Sequence, residues 1–261
     1  MSKGFSNFLK DLDPVLHGQF VVERYKEGLT GKHRNVPDPV FSFKKPIFKK
    51  KVNLPLASTN ARASDYLKKR KLNPTKFYYT DRFKHFCNTN KPTFESTRND
   101  HERIIIPMYD ENNDLIGFQG RALDAFQKPK YLTVMLNEDS PKLYGLDTIN
   151  KEKPVYIVEG PFDSTLLENS VAMCGSDVDI RTLGWSNYIW VFDNEPRNRE
   201  NISRISNTID RGDQVVIWPS HIVEKDINDM VLSGRNVEDL LESNTYSGLE
   251  AKLKLKSWKK V

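Results

Sequence analysis

Beyond Lys153 the chain alternates short apolar runs with amphipathic stretches, and two of those runs end directly on carboxylates. Val155-Tyr-Ile-Val leads into Glu159 and then Asp163, and Tyr188-Ile-Trp-Val-Phe leads into Asp193 and Glu195. A third acidic group, Asp226 and Asp229, lies in Lys-Asp-Ile-Asn-Asp. Strands alternating with helices specify a mostly parallel sheet flanked by helices. Carboxylates released at the ends of neighbouring buried strands converge on one crevice of such a sheet, and clustered oxygen ligands suit Mg²⁺. The pattern points to metal-dependent phosphate chemistry.

The remaining elements follow from periodicity. Residues 5–29 carry Phe8, Leu9, Leu12, Val15, Leu16 and Phe20 at helical spacing, and Pro14 divides them into two short helices. Residues 31–56 hold four prolines and the run Lys44, Lys45, Lys49, Lys50, Lys51, interleaved with Phe41, Phe43 and Phe48. That composition resists regular structure and reads as a linker or an extended arm, equally a nucleic-acid strap or an ordinary surface segment. Ser64 to Leu72 reads as a helix with Tyr66 and Leu67 facing inward, and residues 103–121 as a hairpin around the polar turn 110–114. In the back half, 164–168 reads as helical, 171–174 as a strand that buries Cys174, and 214–218 as a further strand. The spacing of Ile202, Ile205 and Ile209 predicts a covering helix over 197–211, ended by Gly212, with two closing helices at 237–243 and from Ser247 to about Trp258. The expected domains are 1–52, helices and basic arm; 53–150, a smaller mixed α+β basic subdomain; and 151–261, the α/β domain.

Charge divides the same way. Residues 1–150 carry 26 Lys and Arg against 17 Asp and Glu, and residues 151–261 carry 14 against 18. A basic front beside an acidic back suits a polyanion held on one side and reactive phosphates delivered on the other; a solvated charged surface has the same composition. Cys87 and Cys174 are the only cysteines and lack the paired spacing of a structural zinc site, so no zinc is expected. No apolar run approaches the roughly 20 residues of a membrane span, and residues 1–13 lack a signal-peptide pattern, so a cytoplasmic location is the default.

The three acidic motifs resemble the TOPRIM domain, in which a glutamate follows the first strand, an Asp-x-Asp-like pair follows a later one, and a third acidic cluster comes last. The upstream region resembles the catalytic core of DnaG-type DNA primases through Gly117-Phe-Gln-Gly-Arg121, Pro129-Lys-Tyr-Leu132 and Lys142-Leu-Tyr-Gly-Leu146. The opening Gly-Phe-Ser-Asn-Phe-Leu and closing Tyr-Ser-Gly-Leu-Glu-Ala-Lys-Leu are most similar to primases of large tailed bacteriophages. The resemblance implies a TOPRIM-like fold and synthesis of short RNA primers on single-stranded DNA from ribonucleoside triphosphates. It implies Mg²⁺ (or Mn²⁺) held by Asp193, Glu195 and Asp226, with Glu159 completing the cluster as a base or nucleotide-orienting group. Asp163 and Asp229 follow as ligands or as acceptors that orient the ligands. Arg121, Lys130 and Lys142 match phosphate-contacting positions, and Arg62 and Lys71 have weaker claims.

Two departures stand out. Glu195 replaces the more usual aspartate, and the N-terminal zinc ribbon of such primases is not in this sequence. The expectation is therefore a fragment, a product of a split gene with a separately encoded zinc module, or a form that initiates without one. A separate replicative hexameric helicase is the expected partner. The competing assignments are a TOPRIM-containing nuclease and a non-catalytic nucleic-acid-binding module. No phosphate-binding Gly-x-x-x-x-Gly-Lys-Ser/Thr occurs to mark the ATPase commonly joined to such nucleases.

Overall fold

The computed structural model describes residues 3–26, 52–175 and 178–261. The lysines and phenylalanines of the expected basic arm, from Phe41 to Lys51, lie outside them. The chain forms two compact units, residues 1–48 and 49–261. Within the first, α1 (Lys3–Leu12) and α2 (Pro14–Lys26) pack together. Pro14 starts α2 because its missing N–H is not needed in the first turn. Asp13 Oδ1 accepts from the amides of Val15 and Leu16 there. Phe5 and Phe20 close the pair edge to face at 5.6 Å.

The second unit opens with α3 (Ala61–Lys69), β1 (Tyr78–Thr80) and α4 (Phe83–Asn90). The hairpin β2 (Arg103–Tyr109) and β3 (Leu115–Ala122) follows, then β4 (Tyr131–Met135). These strands form an antiparallel sheet in the order β1-β2-β3-β4. The β2–β3 turn is held by Asp110, whose Oδ1 accepts from the amides of Asn112 and Asp114. Both central strands are buried on both faces: Ile104 and Ile106 pack with Leu67, Phe77 and Phe162, and Ile105 packs with Phe83 and Phe118. This double burial replaces the simple alternation of a half-exposed strand.

A second sheet begins at β5 (Val155–Val158), followed by the short α5 (Pro161–Ser164), β6 (Ser170–Ala172) and β7 (Tyr188–Trp190). It continues through α6 (Arg199–Asp210), β8 (Gln214–Val216), α7 (Ile227–Leu232), α8 (Val237–Ser243), β9 (Thr245–Tyr246) and α9 (Gly248–Trp258). The strand order is β6-β5-β7-β8-β9, parallel except for β9. Asn198 caps α6 through the amides of Glu200 and Asn201, and Gly212 leaves it at φ +86°, a conformation that glycine adopts without steric cost. Ile205 and Ile209 are buried and Ile202 is half-buried, as the stripe predicts.

The sequence reading needs correction at several elements. The helical stretch expected over 164–168 is confined to Pro161–Ser164, the strand expected to bury Cys174 stops at Ala172, and the expected helix 64–72 ends at Lys69. Cys174 stays buried but lies in a turn at φ +47°. The elements β1, α4, β4, α7 and β9 have no counterpart in that reading, because their short segments take their structure from the partners they pack on.

Gly120 shows how tight the first sheet is. A Cβ there overlaps the Phe83 ring and comes within 2.9 Å of Arg103 Cδ, and Phe83 and Arg103 are both fully buried. Gly120→Ala is therefore expected to cost about 1–3 kcal/mol by overpacking. Urea unfolding measures it, and a cost below about 0.5 kcal/mol, the scatter of ordinary surface changes, would contradict the packing argument.

Candidate active site

The chain leaves β5 to form β6 on one side and then crosses to β7 on the other. The loops after β5 and β7 therefore diverge, which opens a crevice at the carboxyl ends of these two strands. Glu159 stands directly after β5 and Asp193 a few residues past β7. The loop before α7 brings Asp226, whose Oδ1 caps that helix through the amide of Asp229 at 2.8 Å. Asp163 in α5 accepts from the Asn228 amide at 3.0 Å. Glu159, Asp163, Asp193 and Asp226 line one small recess floored by Val158, Phe192 and Trp218.

The electrostatics express this crowding. Burial, and then the charges of Glu159, Asp163 and Asp226, push the Asp193 carboxyl up to about 8. Burial and Asp226 push Asp163 up to about 7. Asp229 is exposed and is also raised, first by desolvation and then by Asp226. Glu195 is lowered, because it accepts from Lys225 Nζ at 2.9 Å and from Asn198 at 3.1 Å.

Two cations that the sequence reading did not assign to the site sit against these acids. Arg204, on α6, donates from Nη1 to Glu159 Oε1 at 3.0 Å, and its guanidinium lies 5.0 Å over the Phe192 ring. Lys225 bridges Glu195 and, at 3.8 Å, Asp193. Neutral side chains position the loops. Asn201 donates to the Asp193 carbonyl at 2.7 Å. Asn194 donates to the carbonyls of Ile222 and Glu224 and accepts from the Trp258 indole, which ties the β7 loop, the Asp226 loop and α9 together. The central Asn of the Asp-Asn-Glu motif was the available signal; the partners of Arg204 and Asn201 carried none.

The basic candidates divide. Lys130 is exposed and held below its ordinary value by desolvation, then by Arg121, Arg70 and Lys225, while Asp226 acts in the opposite sense. It therefore feels both the neighbouring cations and the Asp226 charge of the recess. Arg121 is buried, donates to the Tyr66 hydroxyl at 2.7 Å, and lies 4.6 Å over the Tyr131 ring and 5.6 Å over Phe162. Asn228 links the basic and acidic parts: Arg70 donates to its side chain at 2.9 Å, and it donates to the Arg70 carbonyl at 2.7 Å. Lys142 is half-buried beside Cys174 rather than against the carboxylates. Arg62 pairs with Glu102, and Lys71 donates to the Val231 carbonyl at 2.7 Å.

Among the described residues, no three His, Cys, Asp or Glu side chains converge on a single point as a ready ligand set; Glu159 and Glu195 are drawn to Arg204 and Lys225. The donor chemistry nevertheless fits a hard divalent cation, because burial and then the neighbouring carboxylates raise Asp193 and Asp163, and such a charge stabilises their ionised forms against both. A raised carboxyl favours the folded state in its protonated form. That contribution is fully present below the ordinary carboxylate range and is lost as pH rises through about 8 for Asp193. Without divalent cations the melting temperature is expected to fall as pH rises through this window, and Mg²⁺ to restore it. Thermal melts with EDTA or Mg²⁺ measure this, and an unchanged slope in Asp193→Asn would refute the assignment.

Residues 84–149, which contain Arg121, Lys130 and Lys142, match the family model described as DNA primase catalytic core, N-terminal domain. The DNA primase of Enterobacteria phage T4 is 32% identical over 97% of this chain and 78% of its own length. Among solved structures, the Aquifex aeolicus primase (zinc-binding and RNA polymerase domains) superposes with a TM-score of 0.55 at 20% identity, covering 72% of this chain and 57% of that one. A DnaG primase catalytic domain bound to single-stranded DNA gives 0.53 at 18% identity, covering 73% and 75%. The structural matches establish the fold, and the chain spans little more than half of the Aquifex protein. Among the described residues, no helix is long and apolar enough to cross a membrane.

Proposed function

Because this chain belongs to the DNA primase family, we propose that its carboxylate recess is the nucleotidyl-transfer centre of an RNA-polymerising primase that copies single-stranded DNA from ribonucleoside triphosphates. The observation that carries this reading is the gathering of Glu159, Asp163, Asp193 and Asp226 in one recess, with the Asp226 charge felt at Lys130. Asp193, Asp226 and Glu159 would hold Mg²⁺ (or Mn²⁺), joined by Glu195 when Lys225 releases it, with Asp229 at the rim. A bound divalent cation supplies charge neutralisation at the α-phosphate and lowers the pKa of the attacking ribose hydroxyl.

The chain's own groups do the rest. Lys130, Arg70 and Lys225 bind phosphate oxygens and draw the triphosphate toward the recess. Arg121 acts from behind by clamping the Tyr131 and Tyr66 rings. Lys142 contacts nucleic acid further along the same strand ends. Arg62 and Lys71 contribute positive field from their existing pairings. Arg204 and Lys225 keep Glu159 and Glu195 oriented before substrate arrives. Asp163 orients the α7 loop through the Asn228 amide.

The template is expected to be positioned with the help of a separate hexameric helicase. The test is synthesis of short oligoribonucleotides from labelled ribonucleotides on single-stranded DNA with Mg²⁺, with and without added helicase and a zinc-binding module. Product that requires Mg²⁺ supports the reading. Template binding with no RNA product under any combination would instead favour a non-catalytic binding module, and template cleavage would favour a nuclease.

A further inference from the structure

A second cavity, of about 330 Å³, lies beside α6 on the face of the sheet that carries Trp190 and Phe192. It is not the acidic recess, yet it adjoins the site described above: Phe192 lines both, and Arg204, the partner of Glu159, also lines this cavity, together with Arg211, Asn207 and Asp213. Its volume is in the range of small-ligand sites.

The chemistry of its walls selects a ligand class. The Trp190 and Phe192 rings stack at 5.8 Å with planes 5° apart. Arg211 covers the Trp190 ring at 5.5 Å and Arg204 covers Phe192 at 5.0 Å. The aromatic faces are thus occupied by guanidinium groups, so the cavity offers cations rather than a stacking platform for a base. Arg211 donates Nε to Asp213 at 3.2 Å and Nη2 to Thr208 at 3.1 Å, and Glu159 takes one N–H of Arg204. A guanidinium has five donors, so both heads retain N–H groups for an acceptor-rich ligand. Arg181, by contrast, is spent on Asp179 through two bonds at 2.9 and 3.0 Å.

Arg204 and Arg211 stand seven positions apart, on the same side of α6 and roughly 10 Å along its axis. Linked phosphates present acceptors along such a span. Asn207 sits between them on the same side and is exposed. We propose that this cavity binds a polyphosphate anion, either inorganic pyrophosphate or the triphosphate tail of a nucleotide, between Arg204 and Arg211. Because Arg204 then shares its charge and its position between the anion and Glu159, occupancy weakens the pairing with Glu159 and couples the cavity to the carboxylate recess. Polyphosphate recognition by the cavity stands independently of the polymerase reading; only the consequence of that coupling for synthesis rests on it.

The test is a binding titration of the full chain with pyrophosphate, tripolyphosphate and ATP in EDTA. EDTA removes divalent-dependent binding at the recess, and the indole resonance of Trp190 reports the cavity. Saturable binding is expected, weakened about tenfold by Arg211→Gln, which removes a charge-assisted contact. Asn207→Asp, an exposed change with little reason to disturb folding, is expected to weaken it comparably by placing a repelling charge between the arginines. Lys130→Gln, across the recess, should change it less than about twofold. Preference for pyrophosphate or for ATP identifies the source, and equal binding supports the shared chemistry. The proposal is overturned if none of the three ligands saturates the Trp190 signal, or if binding survives Arg211→Gln and Asn207→Asp in folded protein. It is equally overturned if binding is lost in Lys130→Gln.

Discussion

Asp193→Asn is expected to reduce primer synthesis by about a thousandfold or more, the scale on which preorganised charge at a reacting phosphate acts. It should leave single-stranded DNA binding within about twofold, because template contacts come from cations elsewhere. The substitution keeps the side chain's shape and removes one negative charge from a recess in which burial, Glu159, Asp163 and Asp226 already push the Asp193 carboxyl up to about 8. Its stability effect in metal-free buffer should therefore be neutral or positive near pH 8. That pairing separates a functional carboxylate from a structural one, since a structural acid lost from a satisfied network lowers the melting temperature. Labelled-primer assays, template-binding titrations and thermal melts on one preparation decide it. Retained synthesis in Asp193→Asn would end the assignment of this recess as the catalytic centre.

Arg103→Leu is expected to destabilise the protein by about 3–5 kcal/mol, the range for breaking a buried charged network. Arg103 is fully buried. Its guanidinium donates to the Gly120 carbonyl at 2.8 Å, to Lys130 at 3.2 Å and to Pro129 at 2.8 Å, while Nε donates to the His101 ring at 2.8 Å. It also lies 5.2 Å over the Phe83 ring. Desolvation lowers its pKa to about 10, so carbonyl dipoles, not a paired carboxylate, are what hold the charge. Leucine would fill part of the space and remove the guanidinium from three carbonyls, of which that of Lys130 keeps only the Ala122 amide. Those carbonyls include that of Lys130, so the variant should also bind nucleoside triphosphate more weakly. Arg103→Lys keeps the charge without the fork and should fall between the two. Urea unfolding and nucleotide titration test this, and a cost under about 1 kcal/mol, an ordinary single-mutation value, would show that the network is not what orders the 129–130 segment.

His101 adds an acid limit to the same network. Desolvation and the Arg103 charge hold its pKa below 6.5, as a ring accepting from a guanidinium requires. A lowered value means that the unfolded chain binds the proton first. This contribution to stability is present above about 6.5 and is lost as pH falls below it.

Much of the second sheet was legible because its signals are local. An apolar run of strand length followed by a carboxylate marks both a buried strand and the place where its charge emerges, and the isoleucine spacing of α6 with Gly212 marks a covering helix and its end. The first sheet was less legible. Its hairpin turn is written in Asp110 and Asn113, but Tyr78–Thr80 and Tyr131–Met135 become strands only because β2 and β3 offer them edges.

The sequence by itself determined the β2–β3 hairpin, the parallel strands of the second sheet, the class of the fold and which carboxylates leave the strand ends, since each depends on residues a few positions apart. Only the tertiary structure decided that β6 and β7 flank β5 on opposite sides, that Arg204 meets Glu159 and Lys225 meets Glu195, and that Asn228 joins Arg70 to the acidic loops. Arg70 and Asn228 are 158 positions apart. Such pairings leave no periodic trace, because distance in space, not separation along the chain, sets the strength of a charge or a hydrogen bond.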